Sequence, residues 1–306
     1  MKYFEFNKLY IIESVNPNEA NGAYKQPANT LKQAMDSVNA PCELKVIDSA
    51  ACFYKTLTQI MHDSWNGVRP ILHFICHSLK IADEEFPRGL AIWNSQRQCN
   101  ELITWKELSY ALESINLASH FNLFVTLSVC EGLMSLENFL DENHRIPFCG
   151  ILASPDPIKL CTSIICFKEY YVELMKVHDV NAAYNAYVKL LNSLNQYYIA
   201  KGIKPERIEQ EFADDIYTKF ARIDFKTNRS RPWFVRKIAI KELKKELHQT
   251  KRQLPEKLIQ AFIGKNYQLL WSIHEGMQNY KFMLDLYPEQ LHRFDLPQSI
   301  EDLKSK

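Results

Sequence analysis

Glycine is scarce: eight residues in a chain of 306, and none in a GxGxxG or GxxxxGK[ST] arrangement. Both phosphate-cradling loops need glycine so that backbone N–H groups can approach the ligand, so a nucleotide-binding protein of either kind is not expected. The eight cysteines include no CxxC pair, and Cys161 and Cys166 stand five apart, a spacing unsuited to a structural zinc site. No apolar run approaches the ~18 residues of a membrane span. The first one, Leu9 to Ile12, is short and has no small-residue cleavage site after it, so no secretory signal is expected. With no export signal, the thiols are expected to be reduced in a cytoplasmic setting. Neither sign of charge dominates: 37 basic against 36 acidic residues leave +1. No whole-chain field favours nucleic acid, and neither nucleic acid nor a membrane is expected as a partner.

What the chain does have is apolar bulk, 46% hydrophobic with 12% aromatic, enough for a well-filled core. Over the first two-thirds, short apolar runs alternate with amphipathic ones. Leu9–Val15, Glu43–Ile47, Pro70–Cys76, Asn122–Val129 and Pro147–Ala153 read as strands, and Gly89–Trp93 with Glu101–Ile103 as a small hairpin. Helices are predicted from Thr30 to Val38, from a cap at Asp48 or Ser49 to about Trp65, from Thr104 through Ile115, over Cys161–Val177 and over Val180–Tyr198. Thr104 with Glu107 three residues on has the form of a capping box. Strand and helix alternating at this spacing imply a mostly parallel sheet covered on both faces, an α/β three-layer sandwich. Beyond Ile203 no strand pattern is evident. The basic run Arg229 to Arg252, Pro255–Phe262 and Tyr267–Leu286 read as helices. The division expected is an α/β domain over residues 1–202 and a helical subdomain over 203–306.

In parallel sheets chemistry collects at the carboxyl ends of strands. Two strands end in reactive side chains: ILHFIC runs into His77–Ser78, and LFVTLSV runs into Cys130–Glu131–Gly132. If the strands are parallel neighbours, an imidazole and a thiol emerge at one edge, where the imidazole can take the thiol proton and later protonate a leaving amine. A helix starting after Cys130 would further favour the thiolate. Either residue alone would more often be structural; the pairing is what points to nucleophilic catalysis.

A caspase-type peptidase carries its histidine about 50 residues before its cysteine, and here 53 residues separate His77 from Cys130. ILHFICHS resembles the histidine motif of the CHAT peptidases, relatives of caspases and separases, typically hHfxxHG. LFVTLSVCEG resembles their cysteine motif, typically LVxLSACxSG. GLAIW with LITWKELSYAL, GILASPDPI, and FKEYYVELMKVHDVNAAYNAYVKLL resemble the segments that accompany those motifs in the family. The resemblance covers roughly residues 8 to 195.

The resemblance implies a caspase-like fold and a cysteine endopeptidase with Cys130 as nucleophile and His77 as general base and acid. Backbone N–H groups of Cys130 and Ser78 would form the oxyanion hole, and His73 would be structural. Ser78 stands where the family usually has glycine. Ser154 and Asp156 follow the strand next to the cysteine, where related enzymes build part of the pocket for the residue before the scissile bond. An acidic Asp156 there would select arginine or lysine; if it faces elsewhere, an apolar residue is equally compatible. No metal or organic cofactor is required. The partners implied are a specific protein substrate and an activating or regulatory protein, with the polar segment 79–88, which contains Asp83, Glu84 and Glu85, as a loop that would order on partner binding. Prokaryotic relatives are often effectors of antiphage defence. The alternative from another class is a catalytically silent scaffold that binds partners through its helical extension.

Overall fold

The computed structural model describes residues 5–17, 27–80, 88–132, 144–154, 157–204, 209–212 and 233–293. The chain divides into two compact units, Met1–Glu211 and Phe212–Lys306; the boundary expected from the sequence lies nine residues earlier.

The first unit is built on one sheet of eight strands. Strands β1 (Lys8–Ser14), β2 (Cys42–Val46), β3 (Pro70–Leu79), β6 (Phe124–Ser128) and β7 (Gly150–Ala153) pair in parallel in the order β2-β1-β3-β6-β7. Strands β4 (Gly89–Asn94) and β5 (Cys99–Thr104) form an antiparallel hairpin that pairs with the end of β3 at His77 to Leu79. A short strand β8 (Glu209–Phe212) adds the far edge beyond β7. It corrects the strand-free reading of the chain beyond Ile203: four residues, EQEF, are too few to show a periodicity, and the sheet edge supplies the pairing.

Helices α1 (Pro27–Ser37), α2 (Ala50–Trp65), α3 (Trp105–Ala118), α4 (Leu160–Val177) and α5 (Val180–Ala200) complete the unit. Successive residues of a strand point to opposite faces. Phe74 meets Phe53 of α2, with centroids 6.0 Å apart, whereas His73 meets Phe167 of α4 at 4.5 Å. The two helices therefore cover opposite faces. α3 packs with α2, and α1 with α4, which α5 backs. The central strands are buried on both sides; Ile71, Leu72, His73, Phe74 and Ile75 are all at most 1% exposed. That explains why their sequences run apolar without alternation.

Local signals behave as the residues dictate. Ser49, not Asp48, caps α2, its hydroxyl accepting from the Cys52 N–H at 3.2 Å. Thr104 and Glu107 form the reciprocal capping box on α3. α1 begins at Pro27, three residues before the predicted Thr30, because proline suits the first helical position, where no N–H is needed.

The second unit contains α6 (Trp233–Glu246), α7 (Glu256–Lys281) and a 3₁₀ turn over Pro288–Arg293. Ile238, Ala239 and Leu243 of α6 pack with Ile259, Ile263 and Leu270 of α7. Arg236 grips Glu256 with two parallel bonds of 2.7 and 2.6 Å. The break predicted between the helices at 255–262 and 267–286 is a kink within α7 at Asn266, whose backbone is non-helical and whose side-chain amide donates to the Phe262 carbonyl at 3.0 Å.

Gly89 starts β4 where the hairpin crosses tightly: a Cβ there would lie 1.9 Å from the Ile103 carbonyl oxygen. Gly89→Ala should therefore destabilise by about 2–3 kcal/mol through forced backbone displacement. Gly264, inside α7 with nothing within 4 Å of an added Cβ, is the control; Gly264→Ala should stabilise by about 0.5–1 kcal/mol. Urea unfolding of both variants against the parent measures the contrast.

Candidate active site

The ladder between β3 and β6 pairs Ile71 with Phe124, His73 with Thr126 and Ile75 with Ser128, a constant offset of 53 residues. His77 and Cys130 differ by the same 53 and lie two residues past the last pair of this ladder, His77 still within β3 and Cys130 in the turn after β6. Both line one small cavity, of about 70 Å³, together with Val15, Ile75, Cys76, Ser128, Ile158 and Leu160. The strand order reverses between β1 and β3, and Val15, just past β1, contributes to this same cavity. It therefore sits at the topological switch point of the sheet, the usual place for a ligand crevice.

Cys130 is lifted out of the strand by a tight turn. The Gly132 N–H reaches the Val129 carbonyl at 3.3 Å, which puts Cys130 and Glu131 at the two central positions. Glu131 has φ 54°, a left-handed conformation that costs a residue with a Cβ roughly 1 kcal/mol. Gly132 has no such φ; it is small because a Cβ would crowd Leu127 at 3.2 Å. The Cys130 thiol is half-buried and free, and donates a long 3.8 Å contact to the Ile158 carbonyl. Glu131 carries its carboxylate to 3.9 Å from the Lys80 ammonium.

The sequence predicts a helix after Cys130 to favour the thiolate, but residues 133–143 lie outside the described ones. The helix that does reach the cavity is α4. Ile158 and Leu160, on either side of its N-cap Lys159, both line the cavity, and Lys159 makes no side-chain cap. The N-terminus of an 18-residue helix thus adjoins the cavity.

Behind the pair lies a buried polar chain. His73 Nδ1 is 2.8 Å from both Thr126 Oγ1 and Tyr171 Oη, and its Nε2 is 3.0 Å from Ser128 Oγ. Ser128 Oγ is in turn 2.8 Å from Ser163 Oγ in the first turn of α4. Thr126 also lies 3.2 Å from the Leu72 carbonyl, a pure acceptor. Assigning the threonine proton there runs the chain one way: Tyr171 donates to Thr126, His73 Nδ1–H donates to the same pair, and Ser128 donates to Nε2 while accepting from Ser163. Every member is then satisfied with a neutral imidazole. Burial agrees, holding the His73 pKa down to about 3. A ring that is fully buried, neutral and saturated with partners is structural, as the resemblance implies.

The other predicted residues fall as follows. His77 is exposed on the cavity rim, and Ser78 follows it, half-buried, within β3. Ser78 is not among the residues with positive φ, so the backbone here does not call for glycine. Ser154 is 1% exposed at the end of β7 and is not part of the cavity wall. Asp156 and most of the segment 79–88, with Asp83, Glu84 and Glu85, lie outside the described residues. Sequence reasoning passed over Val15, Ile158 and Leu160, which carry no chemical signature. It also passed over Ser128, which the two-residue period through Thr126 and Cys130 would have flagged.

Among the described residues no cluster of three or more His, Cys, Asp or Glu is arranged to hold a metal ion, and no helix is long and apolar enough to cross a membrane. No protein-family model matches the chain, and no curated protein sequence matches it.

His73 and, in the second unit, His274, lowered to about 4, are both held neutral by desolvation, against an unfolded value of 6.5. Between the unfolded value and these depressed ones the unfolded chain binds more protons, so stability falls as pH falls through that window. Going from pH 7 to 5 should cost about 2 kcal/mol for each such histidine. In His73→Gln the first unit should lose its share of that slope, whatever its absolute stability. Denaturant unfolding at pH 7, 6 and 5 gives the slope, and an unchanged slope would show that His73 titrates normally in the native fold.

Proposed function

We propose that the chain is a cysteine endopeptidase with a caspase-like α/β/α core, acting through Cys130 and His77. The observation that carries this reading is the common register: two parallel strands, offset by 53 residues, deliver the thiol and the imidazole to one cavity at the switch point of the sheet. The strand order, the covered sheet and the sequence resemblance support the finer fold assignment.

In this mechanism His77 takes the Cys130 proton and the sulfur attacks the scissile carbonyl, forming a carbon–sulfur bond. The oxyanion is stabilised by backbone N–H groups of Cys130 and Ser78, and the N-terminus of α4 adds a positive field. As the carbon–nitrogen bond breaks, His77 gives its proton to the departing amine. Water, deprotonated by His77, then adds to the thioester carbonyl. The carbon–sulfur bond breaks, releasing the carboxyl product and restoring the thiol. Nothing in this cycle needs a metal or an organic cofactor.

Three features support the mechanism. Cys130 is free and accessible from the cavity. His77 is exposed at the rim, while the nearby His73 is locked in place. The left-handed residue after the nucleophile pays strain to present it, a use of strain found at functional sites. All eight cysteines are free thiols, which fits a reducing cytoplasm. By resemblance, the substrate is a chosen protein cut at one or few sites, and the setting is that of a prokaryotic defence effector with a regulatory protein partner. The scaffold alternative drew on Ser78, which is not among the residues with positive φ.

Cleavage of a proteome-derived peptide library should be detected with the wild type, and kcat/KM should drop about 10³-fold or more in Cys130→Ala and in His77→Ala. Wild-type silence, alone and with lysate from the source cells, would favour the scaffold.

A further inference from the structure

In the acyl-enzyme that the peptidase reading requires, the substrate carbonyl carbon is bonded to Cys130 Sγ, and the next atom along the acyl chain carries the side chain of the residue before the scissile bond. That side chain must enter whatever space adjoins the sulfur. The cavity shared by His77 and Cys130 is that space, and its character follows from its walls. Val15, Ile75, Ile158 and Leu160 are aliphatic. Ser128 donates its one proton to His73 and accepts from Ser163. The Cys76 thiol is held neutral, its pKa raised by burial.

Among the described residues the titratable groups lining the cavity are the His77 imidazole and the Cys76 and Cys130 thiols, with no carboxylate, lysine or arginine. The half-buried Glu13 pairs with Ile75 in register, but its carboxyl turns to the start of α1, where it accepts the Ala28 N–H at 3.3 Å. Glu131 is directed to Lys80. Size sets the second limit. An apolar cavity of ~150 Å³ holds a benzene molecule, six carbons, so one of about 70 Å³ holds about three.

We propose that this cavity is the primary specificity pocket and that it selects a small aliphatic residue, alanine to valine in size, on the acyl side of the scissile bond. The inference rests on the peptidase reading and adds its substrate class. Among the described residues a lysine, arginine or aspartate side chain would meet no carboxylate, lysine or arginine as counter-charge, and a leucine would overfill the space.

The test uses the full chain and a series of peptidyl acyloxymethyl ketones that differ only in the residue next to the reactive ketone: alanine, valine, leucine, arginine or aspartate. Rates of inactivation are measured, and the labelled cysteine is located by mass spectrometry. Alanine and valine should react fastest. Arginine and aspartate should be slower by about 100-fold or more, since a buried unpaired charge is disfavoured, and leucine by about 10-fold. In Leu160→Ala and Ile158→Ala the preference should move toward leucine. Selective labelling of Cys130 that is fastest with arginine or aspartate would overturn the pocket assignment and leave the peptidase reading standing. Absence of selective labelling at Cys130 with every probe would overturn both. The wild-type series decides the matter even if the enlarged-pocket variants fail to fold.

Discussion

The parallel pairing of β3 with β6 is the constraint on which the site depends. A parallel ladder fixes register along its whole length, and a slip of one residue would turn every side chain to the opposite face. Here the ladder holds five residue pairs at one offset, and the catalytic candidates lie two positions beyond its last pair. Placing two groups that are distant in sequence within one cavity then needs no long-range adjustment. It needs only that the strands stay in register, which burial on both faces enforces.

The His73 chain shows how that register is held. Apolar side chains alone would tolerate small slips, because one aliphatic contact is much like another. A buried imidazole that must reach Thr126, Ser128 and Tyr171 at once has few alternatives, since each missed bond would leave a polar atom unsatisfied in the core. The same chain passes through Ser163 to the first turn of α4, tying the helix end that lines the cavity to the strand that leads into Cys130. The two motif histidines, four residues apart on one strand, thus divide the work: the deeper one is fixed and neutral, the outer one stands at the rim.

Much of this was legible in the residues. The apolar runs at Leu9, Pro70 and Asn122 gave the parallel strands because a strand buried on both faces has nothing polar to interrupt it. Ser49 and Thr104 gave helix starts because a hydroxyl satisfies an otherwise unpaired N–H. The strand Glu209–Phe212 was not legible, since its state is set by a neighbouring sheet edge rather than by its own pattern. Nor was the aliphatic wall of the cavity. Val15, Ile158 and Leu160 come from three separated segments, and nothing in an aliphatic residue distinguishes a pocket wall from ordinary core. The candidate pair stood out because a histidine and a cysteine at neighbouring strand ends are chemically rare; its surroundings did not, because theirs is common.

The crossover that joins β3 to β6 has a consequence during synthesis. Between His77 and Cys130 the chain must form the β4–β5 hairpin and α3 and lay them back on the sheet before the two side chains can meet. A contact between such distant residues forms late, because the entropy of closing so long a loop must be met before the ladder returns any stabilisation. A nascent or partly unfolded chain therefore carries a histidine and a cysteine but no assembled pair. Juxtaposition of His77 and Cys130 thus waits on the pairing of β3 with β6 and on the hairpin and helix that lie between them in the chain.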